Sequence, residues 1–184
     1  MAEKKLSGKK VAILAADMFE QVELTEPRKA IEDAGATTEI VSLQEGEIQG
    51  FDHYDKADTF PVDRTVEEAS PDDYDALLLP GGVGNPDNLR MDENAVAFVR
   101  GFFDAGKPVA AICHAPWTLV EAGVVRGRKL ASWPSLQTDI RNAGGTWVDE
   151  QVKVCTAAPS PLVTSRHPGD LKAFCEAFIT QFGG

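Results

Sequence analysis

Residues Lys107 to Thr118 read K-P-V-A-A-I-C-H-A-P-W-T, which sets a cysteine and a histidine side by side where a buried strand should become a helix. The run Val109 to Ile112 is short and wholly apolar, the pattern of a strand covered on both faces of a parallel sheet. From Ala115 the apolar residues Leu119, Val120 and Ala122 follow at helical spacing until Gly123. A tight strand-to-helix turn at Cys113 would lift the thiol out of the sheet toward free amide donors, which favour thiolate over thiol. The same residue also reads as a small buried apolar side chain, as most unpaired cysteines are.

A thiolate nucleophile needs a group to set its protonation, donors for the oxyanion it creates and an acid or base for the moving proton. In parallel sheets the functional loops gather beyond the carboxyl ends of the strands, so segments after Ala16, Leu79 and Ile112 should face one crevice. That brings Glu20, Gly81, Gly82 and Asp87 toward Cys113. Asp17-Met18-Phe19-Glu20 equally reads as a helix capping box, and Gly81-Gly82 as an ordinary turn. His114 adjoins Cys113, yet successive helical residues point about 100° apart, so adjacency alone does not aim a base at a nucleophile. His167, before Pro168, and His53, in an edge segment without an evident partner, are the remaining histidines. No His-x-His, His-Glu-x-x-His or Cys-x-x-Cys spacing occurs, so neither a metal site nor a cofactor is expected.

The elements that must hold these residues alternate strand and helix over 184 residues, the pattern of one α/β domain from 1 to 184, with 1–8 expected as a flexible terminus. Strands are expected at 11–15, 38–43, 75–79, 109–112, 130–133, 152–155 and 162–164. Helices are expected from Pro27 as first residue to about Ala34, at 92–105, 115–122 and 136–143, and at the C-terminus. Between Glu45 and Arg64 the pattern weakens into short pieces that read as edge hairpins, a common interface builder. Cys175 falls on the apolar stripe of the last helix, with Leu171, Phe174, Phe178 and Phe182, and reads as core; Cys155 reads as strand filler.

The net charge of −11 is spread along the chain, which argues against direct nucleic-acid binding. The apolar run from Val11 to Ala16 is too short for a secretion signal or a membrane span, and three scattered cysteines suggest no disulfide framework. A cytosolic protein with reduced thiols and no membrane partner is expected.

Four segments taken together, A-D-M-F-E-Q-V-E-L at 16–24, L-L-L-P-G-G at 77–82, P-V-A-A-I-C-H-A-P at 108–116 and T-S-R-H-P-G-D-L at 164–171, resemble the PfpI family. This is the intracellular-protease-I-like branch of the superfamily that also holds the parkinsonism-associated DJ protein, within the class I glutamine amidotransferase-like fold. The resemblance spans about Lys9 to Phe182. It implies a flavodoxin-like three-layer sandwich with a mostly parallel central sheet and a nucleophile elbow at Cys113. It gives Glu20 the role of a protonated acid beside the thiolate, displacing the capping box, and makes Gly81 and Gly82 the oxyanion donors. It also implies a homodimer or higher homo-oligomer in which an acid from a neighbouring subunit orients His114, and Asp87 falls where that acid is expected. Asp87 is shorter than the glutamate some members carry, and Cys155 to Pro161 differs from the shorter, more polar turn of the family.

The activity so implied is cysteine-dependent chemistry on small reactive carbonyls, either glyoxalase III-like or deglycase-type, in a stress-response setting. Three alternatives stand beside it: a non-catalytic sensor of oxidation at Cys113, an intracellular cysteine peptidase, and a glutaminase using His167. The last is weakened by Gly169 where an acid should follow.

Overall fold

The computed structural model describes residues 4–184, and its strands and helices alternate along the chain. In order these are β1 (Lys10–Leu14), β2 (Phe19–Glu20), α1 (Val22–Asp33), β3 (Thr37–Ser42), β4 (Glu47–Asp52), β5 (Asp55–Pro61), β6 (Arg64–Thr65) and β7 (Ala76–Leu79). They continue as α2 (Gly84–Arg90), α3 (Glu93–Asp104), β8 (Val109–Ile112), α4 (Pro116–Glu121), β9 (Lys129–Leu130), α5 (Gln137–Asn142), β10 (Thr146–Trp147), β11 (Lys153–Cys155), β12 (Leu162–Ser165) and α6 (Leu171–Phe182).

Seven strands form the central sheet in the order β11-β12-β8-β7-β1-β3-β6. Every pairing in it is parallel except β11 with β12 at one edge. Alternation along β1 shows how the two cores arise: Val11 and Ile13 join one cluster with Leu24, Ile31, Phe174 and Phe178, and Ala12 and Leu14 join the other with Phe98, Phe102 and Leu119. Helices α1 and α6 therefore cover one face, and α3 and α4 the other. The expected sandwich and its mostly parallel sheet are present.

Several boundaries differ from the sequence reading, each for a tertiary reason. Helix α1 starts at Val22, with Pro27 inside it and buried against the sheet, instead of beginning at Pro27. Gln21, not Asp17, is its N-cap, and the Asp17 carboxylate accepts from the Gln49 amide (2.8 Å), so the capping-box reading fails as well. The short α2 was not expected, because Asn85 and Pro86 read as loop residues. Asn85 is fully buried and ties three segments: its Oδ1 accepts from Ala16 N–H (2.7 Å), and its Nδ2 donates to Pro80 O (2.9 Å) and Gly81 O (3.0 Å). At the N-terminus Leu6 is fully buried and its amide donates to Ala34 O, so residues 4–8 are docked and not free; residues 1–3 of the expected flexible terminus lie outside the described residues. The loop after Cys155 is also pinned, since Ser160 is buried, accepts from Arg128 Nη1 at 2.8 Å through its carbonyl and donates to Lys107 O through its hydroxyl.

The segment expected as edge hairpins forms its own three-stranded sheet, β2-β4-β5, in which Glu20 pairs with Phe51. Its turn carries His53 in the left-handed region, at φ 57°. Among the described residues, no helix is long and apolar enough to cross a membrane.

Candidate active site

Strand β8 delivers Cys113 beyond its carboxyl end in a left-handed conformation, at φ 63°. For a non-glycine residue that conformation costs about 1–2 kcal/mol and persists only where the surroundings over-determine it. They do so here: Cys113 N–H donates to Ser165 O (3.1 Å), its carbonyl accepts from Trp133 N–H (2.9 Å), and the Ala115 amide closes on Ile112 O (3.1 Å). The thiol is thereby held at the mouth of the sheet with the Gly82 and His114 amides directed at it.

The same backbone twist brings His114 round to its neighbour. Its Nδ1 lies 3.2 Å from Cys113 Sγ, so it is adjacency together with the positive φ at Cys113, and not adjacency alone, that aims the imidazole at the thiol. The imidazole is fixed by two indoles, stacked on Trp133 at 5.7 Å between centroids and edge-on to Trp117 at 5.0 Å. Burial alone lowers its pKa to about 4, so the ring is neutral at physiological pH. His167 stands one ring away, edge-on to Trp133 at 6.5 Å, with Nδ1 accepting from Gly169 N–H.

The acid beside the thiol is Glu23, not Glu20. Glu23 sits in the first turn of α1 and is fully buried; its Oε2 accepts from Gly81 N–H at 2.9 Å, and its Oε1 is buried without a hydrogen-bond partner. Burial raises its pKa to about 8, against the pull of the Gly81 amide, so it carries a proton at neutral pH. Gly81 makes this approach feasible. A Cβ there would lie 2.5 Å from Glu23 Oε2 and 2.6 Å from Cys113 Cβ. Burial pushes the Cys113 thiol up, and a charged Glu23 would push it further; the Gly82 and His114 amides pull it back. With Glu23 protonated its charge drops out, and a hydroxyl facing sulfur favours the thiolate.

Glu20 is in β2 and turned to a different partner. Its carboxylate accepts from the His53 amide (3.1 and 3.3 Å to its two oxygens), and His53 Nδ1 lies 3.3 Å from its Oε1. Asp52 completes a group of three ligand-type side chains whose donor atoms lie within 4.8 Å of one another. Asp52 and His53 are exposed, so the group has no closed coordination shell. No spacing in the sequence signals this group, because β2 and β4 meet only in the folded chain.

Of the two expected oxyanion donors, Gly82 directs its amide at Cys113, whereas the Gly81 amide is taken up by Glu23 Oε2 and is not free for that role. Asp87 lies in the first turn of α2 and lines a groove of about 750 Å³ with Arg90, Met91, Arg100 and Glu121. None of Cys113, His114, Glu20 or Glu23 lines that groove, and among the described residues no hydrogen bond or ion pair joins Asp87 to His114, whose imidazole bonds Cys113 Sγ instead. Cys155 is buried and accepts from Lys129 N–H at 3.4 Å, and Cys175 is half-buried on α6, consistent with their reading as packing residues.

Comparison with known proteins places this geometry. The DJ-1/PfpI family model matches residues 9–181. The deglycase TK1284 of Thermococcus kodakarensis is 44% identical over 170 residues, covering 92% of this chain and 97% of its own. Protein/nucleic acid deglycase 2 of Escherichia coli is 42% identical over 96% of this chain and 99% of its own. General stress protein 18 of Bacillus subtilis is 39% identical over 91% of this chain and 94% of its own. Among solved structures, a two-domain protein from Anabaena variabilis with DJ-1/ThiJ/PfpI-like and ferritin-like domains superposes with a TM-score of 0.87 at 33% identity. That match covers 95% of this chain and 48% of the other, so this chain spans about half its length. Oxidised DJ-1 of Toxoplasma gondii shares the fold, with a TM-score of 0.81 at 21% identity over 94% of this chain and 89% of its own. The chain belongs to the DJ-1/PfpI family.

Proposed function

We propose that this protein is a cysteine-dependent enzyme of the deglycase type, acting on adducts of small α-oxoaldehydes or on the aldehydes themselves. The observation that carries the reading is the pairing of a left-handed Cys113 with a fully buried, protonated Glu23. The deglycase names of relatives at 42–44% identity over nearly the whole chain support the substrate class. Attack by the Cys113 thiolate on an aldehyde carbon forms a hemithioacetal whose oxygen the Gly82 and His114 amides can hold. Glu23 can give its proton to that oxygen, leaving a neutral hemithioacetal and a Glu23 carboxylate. A hemithioacetal with a second oxidised carbon isomerises to a thioester, and water releases a hydroxy acid.

The His114 imidazole is neutral and, among the described residues, finds its only polar partner in the thiol, so an acid from a second copy would charge it and the thiolate together. Asp87 of a second copy, presented from α2, is our assignment for that acid, in a homodimer or larger assembly. A cytosolic protein without a membrane partner is part of the same reading, and the net charge of −11 argues against direct nucleic-acid binding.

The deciding experiment is turnover of methylglyoxal, and of its adducts with N-acetylcysteine and N-acetylarginine, by wild type and Cys113→Ala. Loss of turnover in the variant is expected; wild-type rates in Cys113→Ala would refute the mechanism. A second reading, sensing of peroxide by Cys113, is favoured by the orphan Glu23 Oε1, which can hydrogen-bond a sulfinate. Its signature is a gain of two oxygens in intact mass that disappears in Cys113→Ser.

A further inference from the structure

Two glycines in series give the turn after β7 more freedom than its place in the site allows. A Cβ on Gly81 would lie 2.5 Å from Glu23 Oε2 and 2.6 Å from Cys113 Cβ, and one on Gly82, at φ 80°, would lie 2.6 Å from Met18 O. Close approach therefore requires both glycines, and the same lack of side chains removes the steric barrier that would fix the peptide between them. Half a turn of that one peptide plane would put the Gly81 carbonyl at the thiol in place of the Gly82 N–H, an acceptor facing sulfur instead of a donor. Yet the Gly82 amide is directed at Cys113, so another group holds the plane.

Asn85 is placed to do so. It is fully buried in the first turn of α2, and its side-chain amide is bonded at three points. Oδ1 accepts from Ala16 N–H at 2.7 Å, which fixes the sense of the amide, because a donor there can be met only by oxygen. Nδ2 is thereby turned to two acceptors, Pro80 O at 2.9 Å and Gly81 O at 3.0 Å. Gly81 O belongs to the same peptide group whose N–H faces the thiol, and it takes a second donor, the Glu20 amide, at 3.4 Å. Two donors behind the carbonyl keep the N–H forward, and hydrogen bonding at the oxygen strengthens that N–H as a donor in turn. Ala16 follows β1 and Pro80 follows β7, so one side chain also ties the turn to the ends of two core strands.

Resting on the cysteine-dependent reading above, we propose that Asn85 is a positioning residue of this site, which holds the Gly81–Gly82 peptide with its N–H toward Cys113 Sγ and toward the oxygen of the hemithioacetal. It acts through Gly82 and takes no part in bond making or proton transfer. Asn85→Asp keeps the shape and the acceptor for Ala16 N–H but sets a carboxylate oxygen against Pro80 O and Gly81 O, which reverses the hold. Asn85→Ala removes it without adding a charge. The ionisable groups that face the thiol, Glu23 from α1 and His114 from the elbow, are kept in both variants.

The test uses the full-length protein and follows the rate of Cys113 alkylation by iodoacetamide against pH, beside turnover of methylglyoxal. In Asn85→Ala and Asn85→Asp the alkylation midpoint should rise by roughly one to two pH units, the worth of one hydrogen bond to a charged group. Their kcat should fall by roughly 100-fold with KM little changed. Phe102→Leu, in the α3 core among Tyr74 and Phe98, lowers the melting temperature without touching the turn, and its midpoint should stay at the wild-type value. An unmoved midpoint in both Asn85 variants, or an equal rise in Phe102→Leu, overturns the proposal. Should neither Asn85 variant fold, NMR of the wild type decides. The Asn85 side-chain NH2 should resist hydrogen exchange and the Gly82 amide proton should shift as Cys113 ionises; a fast-exchanging NH2, or a Gly82 signal indifferent to that titration, is the opposing result. Wild-type methylglyoxal turnover in Cys113→Ala overturns the reading above and the catalytic half of the proposal with it. Inactive Cys113→Ala with unmoved Asn85 midpoints overturns the proposal alone.

Discussion

The Glu23 carboxyl and the Cys113 side chain converge on the point where a Cβ of Gly81 would lie, 2.5 Å from Glu23 Oε2 and 2.6 Å from Cys113 Cβ. Cys113 Cβ cannot swing away, the Ile112 carbonyl would also lie within 2.7 Å, and Glu23 is confined by complete burial. Gly81→Ala should therefore force the acid and the thiol apart, abolishing turnover and costing about 1–3 kcal/mol of stability, the usual range for overpacking. Enzyme assay and urea unfolding on the purified variant check both halves.

Glu23 makes stability depend on pH in a fixed direction. Its folded pKa of about 8 lies above the reference value of 4.5, so the stability gained by burying the neutral acid is complete below pH 4.5 and lost as pH rises through 8. Glu23→Gln removes that slope. Relative to the variant, wild type should lose on the order of 1.4 kcal/mol for every pH unit between those limits. Denaturation midpoints of both proteins across pH 5–9 give the answer, and parallel curves would contradict a protonated Glu23.

His114 acts in the opposite sense. Its pKa is lowered to about 4 from 6.5, so stability is present above pH 6.5 and falls as pH drops through 4. In His114→Phe that acid-side loss should be absent. Thermal melts between pH 4 and 7 check it.

The conformation of Cys113 reverses a familiar ranking. Glycine is ordinarily the less stable choice by about 0.5–1 kcal/mol relative to alanine. At φ 63° alanine carries the strain that glycine avoids, so Cys113→Gly should be at least as stable as Cys113→Ala, and both should be inactive. A melting temperature clearly lower for the glycine variant would mean that the elbow is relaxed.

If Asp87 completes His114 from a second copy, Asp87→Ala and Cys113→Ala are each inactive alone. Mixed after dissociation and reassociation, they should regain activity, because some sites then combine an intact Asp87 with an intact Cys113. Activity that stays absent after mixing, with the assembly intact by sizing, would place the acid elsewhere.

Much of this was legible in the sequence. Apolar runs located the core strands within a residue or two, and the strand–Cys–His–helix order marked the elbow, because both signals are local. The choice between Glu20 and Glu23 was not local. The two lie three residues apart after the same strand, and only the start of α1 at Val22 turns Glu23 inward while β2 holds Glu20 to the hairpin. His53 looked partnerless for the same reason: Glu20 is 33 positions earlier in the chain. Helix α2 escaped notice because a buried Asn85 bonded to three backbone segments has no periodic signature.

The β2-β4-β5 sheet is a sheet of its own, separate from the seven-stranded one, and Ile48 and Gly50 are the residues of its hairpin that are buried. The turn at His53 can therefore be lengthened, shortened or exchanged without re-registering any strand that carries Cys113. The hairpin and the elbow are in that sense separate modules, and changes confined to residues 52–56 should leave the geometry at Cys113 untouched.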